Sequence, residues 1–278
     1  DLQQSSGLLA QPLGFSNSGD MVRAFRALLN RPDDGINLAA SFLRLQAASY
    51  GYRRVQLDLE PSCWADNASA CDWPKQADAI GYVRLINATS DALASIGAEL
   101  TVAVGTWPKG QCSPEQYANC TASADTWADA CEAGDWNVHL CNCCAYANPF
   151  GFFRLSELCG SRASRIINMD TYQNAPVNLS DFSEAVVYYN EHGCSMDKLS
   201  IGLLSGEATS PDDARDIMEL VDDLGATELD VWANLWAQPK ELSNWQDAFT
   251  LYLDGGAATK WLTHPQPAIL IAVGFVLF

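Results

Sequence analysis

Val55-Gln56-Leu57-Asp58-Leu59-Glu60-Pro61 is a short apolar run that closes on two carboxylates. In a β-strand, residues two apart project to the same face. The spacing therefore predicts that Asp58 and Glu60 stand together at a strand's C-terminal end, with Val55, Leu57 and Leu59 on the opposite face. In (β/α)8 barrels the strand C-termini are where active sites are assembled. Paired carboxylates at that place are what acid/base cleavage of a glycosidic bond requires. The plainer reading of the same residues has Asp58 capping the next helix and Glu60 solvated.

Working outward, strand and helix signals alternate. Leu28 to Ser49 carries Leu38, Phe42 and Leu45 at helical spacing and ends near Gly51. Ala77–Ile96 reads as an amphipathic helix (Ile80, Val83, Leu85, Ile86, Leu93, Ile96) stopped by Gly97. Strands are expected at Leu100–Thr106, Arg165–Tyr172, Lys198–Leu204 and Leu229–Leu235. Helices are expected at Phe182–His192, Pro211–Leu224 and Pro239–Leu253, with Ser210 as an N-cap and Pro211 at N1. Alternation of this kind predicts a parallel α/β architecture of the (β/α)8 type. A single domain is expected over residues 1–253. Five good strands and a weak one near Leu8–Phe15 are fewer than a closed barrel needs. Either more chain lies upstream or the barrel is incomplete.

Between Pro108 and Ser164 the alternation stops. This stretch holds seven of the ten cysteines and reads as a disulfide-tied insertion after a strand end, where inserted loops shape a cleft. The even cysteine count and four N-x-S/T triplets, at Asn67, Asn87, Asn119 and Asn178, point to a secreted or cell-surface protein. Cys63/Cys71 and Cys112/Cys120 are spaced for local bridges; the pairing of the other six is open. Only Cys141 and Cys144 have C-x-x-C spacing, so no metal site is expected, and no cofactor.

The 278 residues carry 34 acidic against 16 basic side chains. Such a surface repels nucleic acid and anionic membrane. A neutral carbohydrate is the better-matched partner, and nine Trp and nine Tyr supply stacking faces. A monomer is expected. Residues 254–278 run from a small-residue cluster, Asp254-Gly255-Gly256-Ala257-Ala258, through a spacer to an uncharged end, Ala268–Phe278. That layout matches a glycosylphosphatidylinositol-anchor signal, the one membrane link expected. It also suits a terminal strand that completes the barrel, or an end left by truncation.

Residues 51–61, G-Y-R-R-V-Q-L-D-L-E-P, resemble the fourth strand of family 18 glycoside hydrolases, the chitinase-like (β/α)8 barrels, whose signature is D-G-x-D-x-D-x-E. Asp58 and Glu60 keep the last two acidic positions, while Arg53, Arg54 and Gln56 replace D, G and D. The segments at 100–107, 167–173, 198–203 and 230–235 resemble strands five to eight in order. The D-x-E-P ending is closer still to eukaryotic glycoside hydrolase-like relatives. The resemblance implies hydrolysis of a β-linked, N-acetylhexosamine-containing glycan. Glu60 is then the general acid, and Asp58 orients the N-acetyl group whose carbonyl oxygen attacks the anomeric carbon. Tyr172 hydrogen-bonds that group and Trp232 floors the sugar site. Gln56, being neutral, can still hydrogen-bond Asp58 but cannot take its charge.

The residues themselves offer a second route. Asn168, Asp170 and Tyr172 are expected on one face of their strand, with Glu207 just past the next. Glu60 with Asp170 or Glu207 would then form a carboxylate pair about 5 Å apart, the spacing of a retaining mechanism. Glu207 has a plainer reading as a solvated loop residue. Gln173, Trp107 and Trp232 complete the expected substrate contacts. The rival to an enzyme is a lectin-like barrel that binds glycan without cleaving it, favoured by the substituted Arg53, Arg54 and Gln56.

Overall fold

Strands alternate with helices along the chain. The computed structural model describes residues 8–10, 25–31, 34–59, 76–105, 153–173, 176–226, 228–233, 239–254 and 270–273. They belong to two units, one of Asp1–Ser164 with Leu277–Phe278 and one of Arg165–Val276.

The first unit contains β1 (Leu8–Ala10), α1 (Gly35–Tyr50), β2 (Arg54–Asp58), α2 (Gln76–Ala94), β3 (Glu99–Val104) and the short α3 (Leu155–Cys159). β1 pairs in parallel with β2, Leu8 opposite Arg54 and Ala10 opposite Gln56. β2 pairs in parallel with β3, Gln56 opposite Thr101 and Asp58 opposite Ala103. Val55, Leu57, Leu100 and Val102 are buried.

Helix α1 begins at Asp34, whose carboxylate accepts from Asn37 N–H, and ends at Gly51 with φ 72°. It buries Ile36, Ala40, Leu43 and Ala47. Leu38, Phe42 and Leu45, the row that announced the helix, are 47%, 50% and 53% exposed. Two interleaved apolar rows run along this helix. The row with alanines faces inward, because small side chains let a helix approach its neighbours closely.

α2 places Asp78 in its first turn, where Arg26 Nη2 pairs with it at 2.8 Å. Its buried face is Ala79, Tyr82, Leu85, Ile86 and Leu93, while Ile80 points outward at 47% exposure. Gly97, at φ 71°, ends it: Ala98 N–H reaches back to Leu93 O and Gly97 N–H to Ala94 O. That pair of bonds is the Schellman motif, and it needs a residue at home with positive φ.

The second unit contains β4 (Arg165–Asn168), α4 (Leu179–Glu191), β5 (Leu199–Leu204), a 3-10 turn (Ser205–Glu207), α5 (Pro211–Asp223), β6 (Leu229–Ala233), α6 (Pro239–Asp254) and β7 (Leu270–Val273). β4 with β5, β5 with β6 and β6 with β7 are all parallel. The apolar C-terminal segment thus supplies a strand, with Ile271 opposite Val231 and Ala272 opposite Trp232. Among the described residues, no helix is long and apolar enough to cross a membrane.

β4 is shorter than its composition predicts. The run R-I-I-N-M-D-T-Y reads as strand to Tyr172, but the strand stops at Asn168. The Asn168 side chain, fully buried, donates to Ala185 O at 3.1 Å and accepts from Asp170 N–H at 2.8 Å. An amide that bonds the backbone two residues ahead turns the chain out of extended geometry.

Two of the N-x-S/T asparagines have structural work. Asn178 caps α4, accepting from Ser180 and Asp181 N–H. Asn87 on α2 accepts from Arg162 N–H at 2.8 Å, and Thr89 of the same triplet is fully buried. Both described cysteines, Cys159 and Cys194, are in disulfide linkage; the other eight lie outside the described residues, as do the expected local bridges and most of the 108–164 insertion.

Ser210 caps α5 by accepting from Asp213 N–H at 3.1 Å, with Pro211 at the first helical position. Ser210→Ala is expected to cost about 1 kcal/mol, read from urea unfolding. An unchanged midpoint would show that the cap contributes nothing.

Candidate active site

Each unit carries its own set of polar groups at strand ends. In the first, they sit on β2 and β3. Gln56 and Asp58 are two apart on β2 and so share a face, and Thr101 stands opposite Gln56 on β3. Gln56 is 4% and Thr101 1% exposed. Gln56 Oε1, Asp58 Oδ1 and Thr101 Oγ1 are all enclosed without a hydrogen-bond partner.

The Gln56–Asp58 hydrogen bond that a neutral glutamine could still make is not formed through these oxygens. Two acceptor oxygens do not bond one another, and a carbonyl cannot supply the proton that a second carboxyl would. Burial alone then governs Asp58 and pushes its carboxyl up to about 6. The hydroxyl of Tyr82, on α2, is held up by its own burial and by the Asp58 charge. Thr101 was not singled out in the sequence, although a threonine inside the apolar run L-T-V-A-V is a legible sign. What hid it was register, since its place opposite Gln56 is a pairing across 45 residues.

In the second unit the polar groups gather where β4 and β5 end. Thr171 Oγ1 lies 2.8 Å from Asn168 O and 2.6 Å from Gly202 O, tying the two strand ends together. Asp170 and Tyr172 follow Asn168 in a turn, with Tyr172 N–H bonded to Met169 O at 3.0 Å. The three therefore do not line one strand face, because the strand has ended before the alternation applies.

Glu207 closes the 3-10 turn after β5. It is not a solvated loop residue: it is 1% exposed. Its Oε1 accepts from Gln173 N–H at 2.6 Å, and its Oε2 is enclosed without a partner. Burial raises its carboxyl to about 8, against the opposing effects of the Gln173 and Leu204 backbone N–H groups. α6 fixes the turn that holds it. Trp245 Nε1–H donates to Ser205 O, Asn244 Nδ2–H to Ala208 O, and Ser205 Oγ–H to Glu241 Oε2, each at 3.0 Å.

Gly202 completes this corner. A Cβ there would lie 2.7 Å from Asn168 O and 2.9 Å from Tyr172 Cε1. The tyrosine ring and the β4 backbone occupy the space a side chain would need. On β6, Trp232 is partly exposed and two residues beyond Asp230, which accepts a short hydrogen bond from Ser200 Oγ. The two share a face of β6.

Of the expected site residues, the structure brings Tyr172, Gln173 and Glu207 together and sets Asp170 in the same turn. Gln56 and Asp58 form the other group. Glu60 and Trp107 lie outside the described residues. Among the described residues, no cluster of His, Cys, Asp and Glu is arranged to hold a metal ion. In the first unit, an open groove of about 570 Å³ lies between α1 and α2, lined by Asp34, Asn37, Ser41, Arg84, Asn87 and Asp91, and none of the expected site residues lines it.

No family model and no curated protein matches the chain. Solved structures do. A chitinase from Chromobacterium violaceum matches with TM-score 0.52 and 11% identity over 88% of this chain and 79% of its own. The spore cortex-lytic enzyme SleL of Bacillus megaterium matches with TM-score 0.51 and 12% identity over 87% and 58%. The catalytic domain 2 of a Group II chitinase from Ostrinia furnacalis, TM-score 0.41 and 16% identity, is covered over 45% of its length by 72% of this chain. The chain thus spans about half the length of the Ostrinia domain and of SleL. Identities this low show a shared fold. The chain has the α/β fold, with parallel strands, of these chitinase-like structures.

Two measurements check this geometry. Folding favours the neutral form of Asp58, so the stability it lends is complete below its ordinary value of 3.8 and is lost as pH rises through about 6. Asp58→Asn should gain on the wild type from pH 4 to 7, seen as a widening difference in Tm; a constant difference would show that Asp58 is not buried as described. Gly202→Ala should cost about 1–3 kcal/mol by overpacking against Asn168 and Tyr172, read from denaturant unfolding.

Proposed function

We propose that the protein is a secreted or surface-anchored glycoside hydrolase of the chitinase-like kind, acting on β-linked, N-acetylhexosamine-containing glycans. The observation that carries this reading is the β2 ending: Asp58, its carboxyl enclosed at a strand's C-terminal end, opens the D-x-E pair in the fold that chitinase-like structures share. Disulfide-linked Cys159 and Cys194 support an oxidising compartment.

The reaction follows from the residues' chemistry. Glu60, as a carboxylic acid, gives its proton to the glycosidic oxygen as the bond to the anomeric carbon breaks. The carbonyl oxygen of the substrate's own N-acetyl group forms the new bond to that carbon, giving a positively charged oxazoline ring. Ionised Asp58 accepts a hydrogen bond from the ring's N–H and offsets its charge. Water then attacks the anomeric carbon, Glu60 takes up a proton from it, and the N-acetyl group is regenerated. Tyr172 and Trp232 contact the same sugar.

Gln56 favours the second reading, a barrel that binds glycan without cleaving it. It stands where the resemblance places an aspartate, and its enclosed Oε1 takes no proton from Asp58.

Release of sugar from chitotetraose separates the two. The enzyme reading expects Glu60→Gln to lower kcat by at least about a hundredfold, the scale of general acid catalysis, with binding retained. It also expects the wild-type rate to fall on the acid side of about 6, as Asp58 takes up a proton. Equal binding by both proteins, with no sugar released by either, sinks the enzyme reading and leaves the lectin.

A further inference from the structure

We propose that Glu207 is a positioning residue: its enclosed carboxyl, bonded to Gln173 N–H, locks the turn that carries Asp170, Tyr172 and Gln173 onto the end of β5. This rests on the glycan-site reading above for what the turn is positioned to do.

Three features of the geometry carry it. First, the bond joins segments 34 residues apart, and it is made to the backbone of the residue directly after Tyr172. Second, Gln173 passes the constraint on. Its Oε1 accepts from Asn178 N–H at 2.8 Å and its Nε2 lies 3.4 Å from Asn178 O, so the same residue ties down the N-terminus of α4. Third, Glu207 cannot drift, because α6 holds its 3-10 turn through Trp245, Asn244 and Glu241. Glu207 is thus the link between a rigid support and the turn.

The protonation state sets how well the link works. As a neutral acid, Glu207 accepts from Gln173 and leaves no charge buried. Once ionised, it places charge on the enclosed Oε2, and the cost of burying that charge outweighs the help of the Gln173 and Leu204 N–H groups. Oε2 is shut off from water while the turn is seated on β5. Burial holds the carboxyl near 8, so the lock is closed at neutral pH and opens in mild alkali. The other titratable groups on the joined elements are Asp170 and Tyr172 on the turn, Asp181, Glu184, Tyr188, Tyr189 and Glu191 on α4, and Lys240, Glu241, Asp247, Tyr252 and Asp254 on α6. Among the described residues no cation pairs with Glu207.

Two arms test this. In the first, chitotetraose affinity is measured by calorimetry from pH 6.5 to 9.5. The wild-type Kd is expected to rise about tenfold across that range. Glu207→Leu should bind about tenfold more weakly at every pH, with its circular dichroism retained. Glu207→Gln, which keeps an acceptor for Gln173 and cannot ionise, should recover most of the loss and stay flat with pH. The second arm needs no glycan: hydrogen-exchange protection factors for residues 169–178. Protection should fall at least about fivefold above pH 8 in the wild type and stay constant in Glu207→Gln. If both proteins show the same pH profile in exchange, or Glu207→Leu protects the turn like wild type, the positioning role is wrong. If no protein binds chitotetraose at any pH while exchange behaves as expected, the glycan reading fails and the positioning role stands.

Discussion

A carboxyl buried at or just past the end of a strand must either find partners or stay neutral. Asp58 at the end of β2 and Glu207 past the end of β5 each have one carboxyl oxygen shut away from hydrogen-bonding partners. Enclosing such a group is costly unless it stays neutral. Both groups answer by holding their protons to higher pH, Asp58 to about 6 and Glu207 to about 8. The offset between them is a difference of surroundings. At Asp58 burial acts alone, whereas at Glu207 it acts against the backbone N–H groups of Gln173 and Leu204. Environment has thus separated two carboxyls of similar chemistry into one that ionises at neutral pH and one that does not.

The support around each group differs in kind. Around Asp58 it is strand pairing: β1 and β3 on either side of β2, with Arg54 and Glu99 joined at 3.3 Å where the paired strands begin. Around Glu207 it is a helix. α6 contributes an indole N–H, an amide and a carboxylate to one short turn, and Trp245 itself is almost fully buried. A loop anchored through three side chains of a single helix moves with that helix. This makes α6 the part of the second unit on which the Ser205–Glu207 turn depends.

What the sequence made legible was local. The β2 run, the glycine stop after α2 and the Ser210–Pro211 entry to α5 are each written within a few residues, and each formed where its signal lay. What it hid depended on distant partners. Asp170 and Tyr172 fit a strand by alternation, yet an asparagine bonded to Ala185 ends the strand first. Leu38, Phe42 and Leu45 have the same period as Ile36, Ala40 and Leu43, and period alone does not say which row meets the neighbouring elements. Glu207 reads as a loop residue until α6, more than thirty residues on, closes over its turn. For the site, the chemistry of Asp58 was legible, but its isolation from Gln56 was a matter of side-chain geometry.

The bare backbone at Gly202 bears on how the corner around Tyr172 could be reshaped. Because the strand presses directly on the Tyr172 ring, that ring has no slack behind it, and a larger aromatic there must grow toward solvent. A smaller residue at 172 relieves only one side of position 202, since the Asn168 carbonyl would still lie 2.7 Å from an added Cβ; the β4 backbone, not the ring alone, keeps that position a glycine.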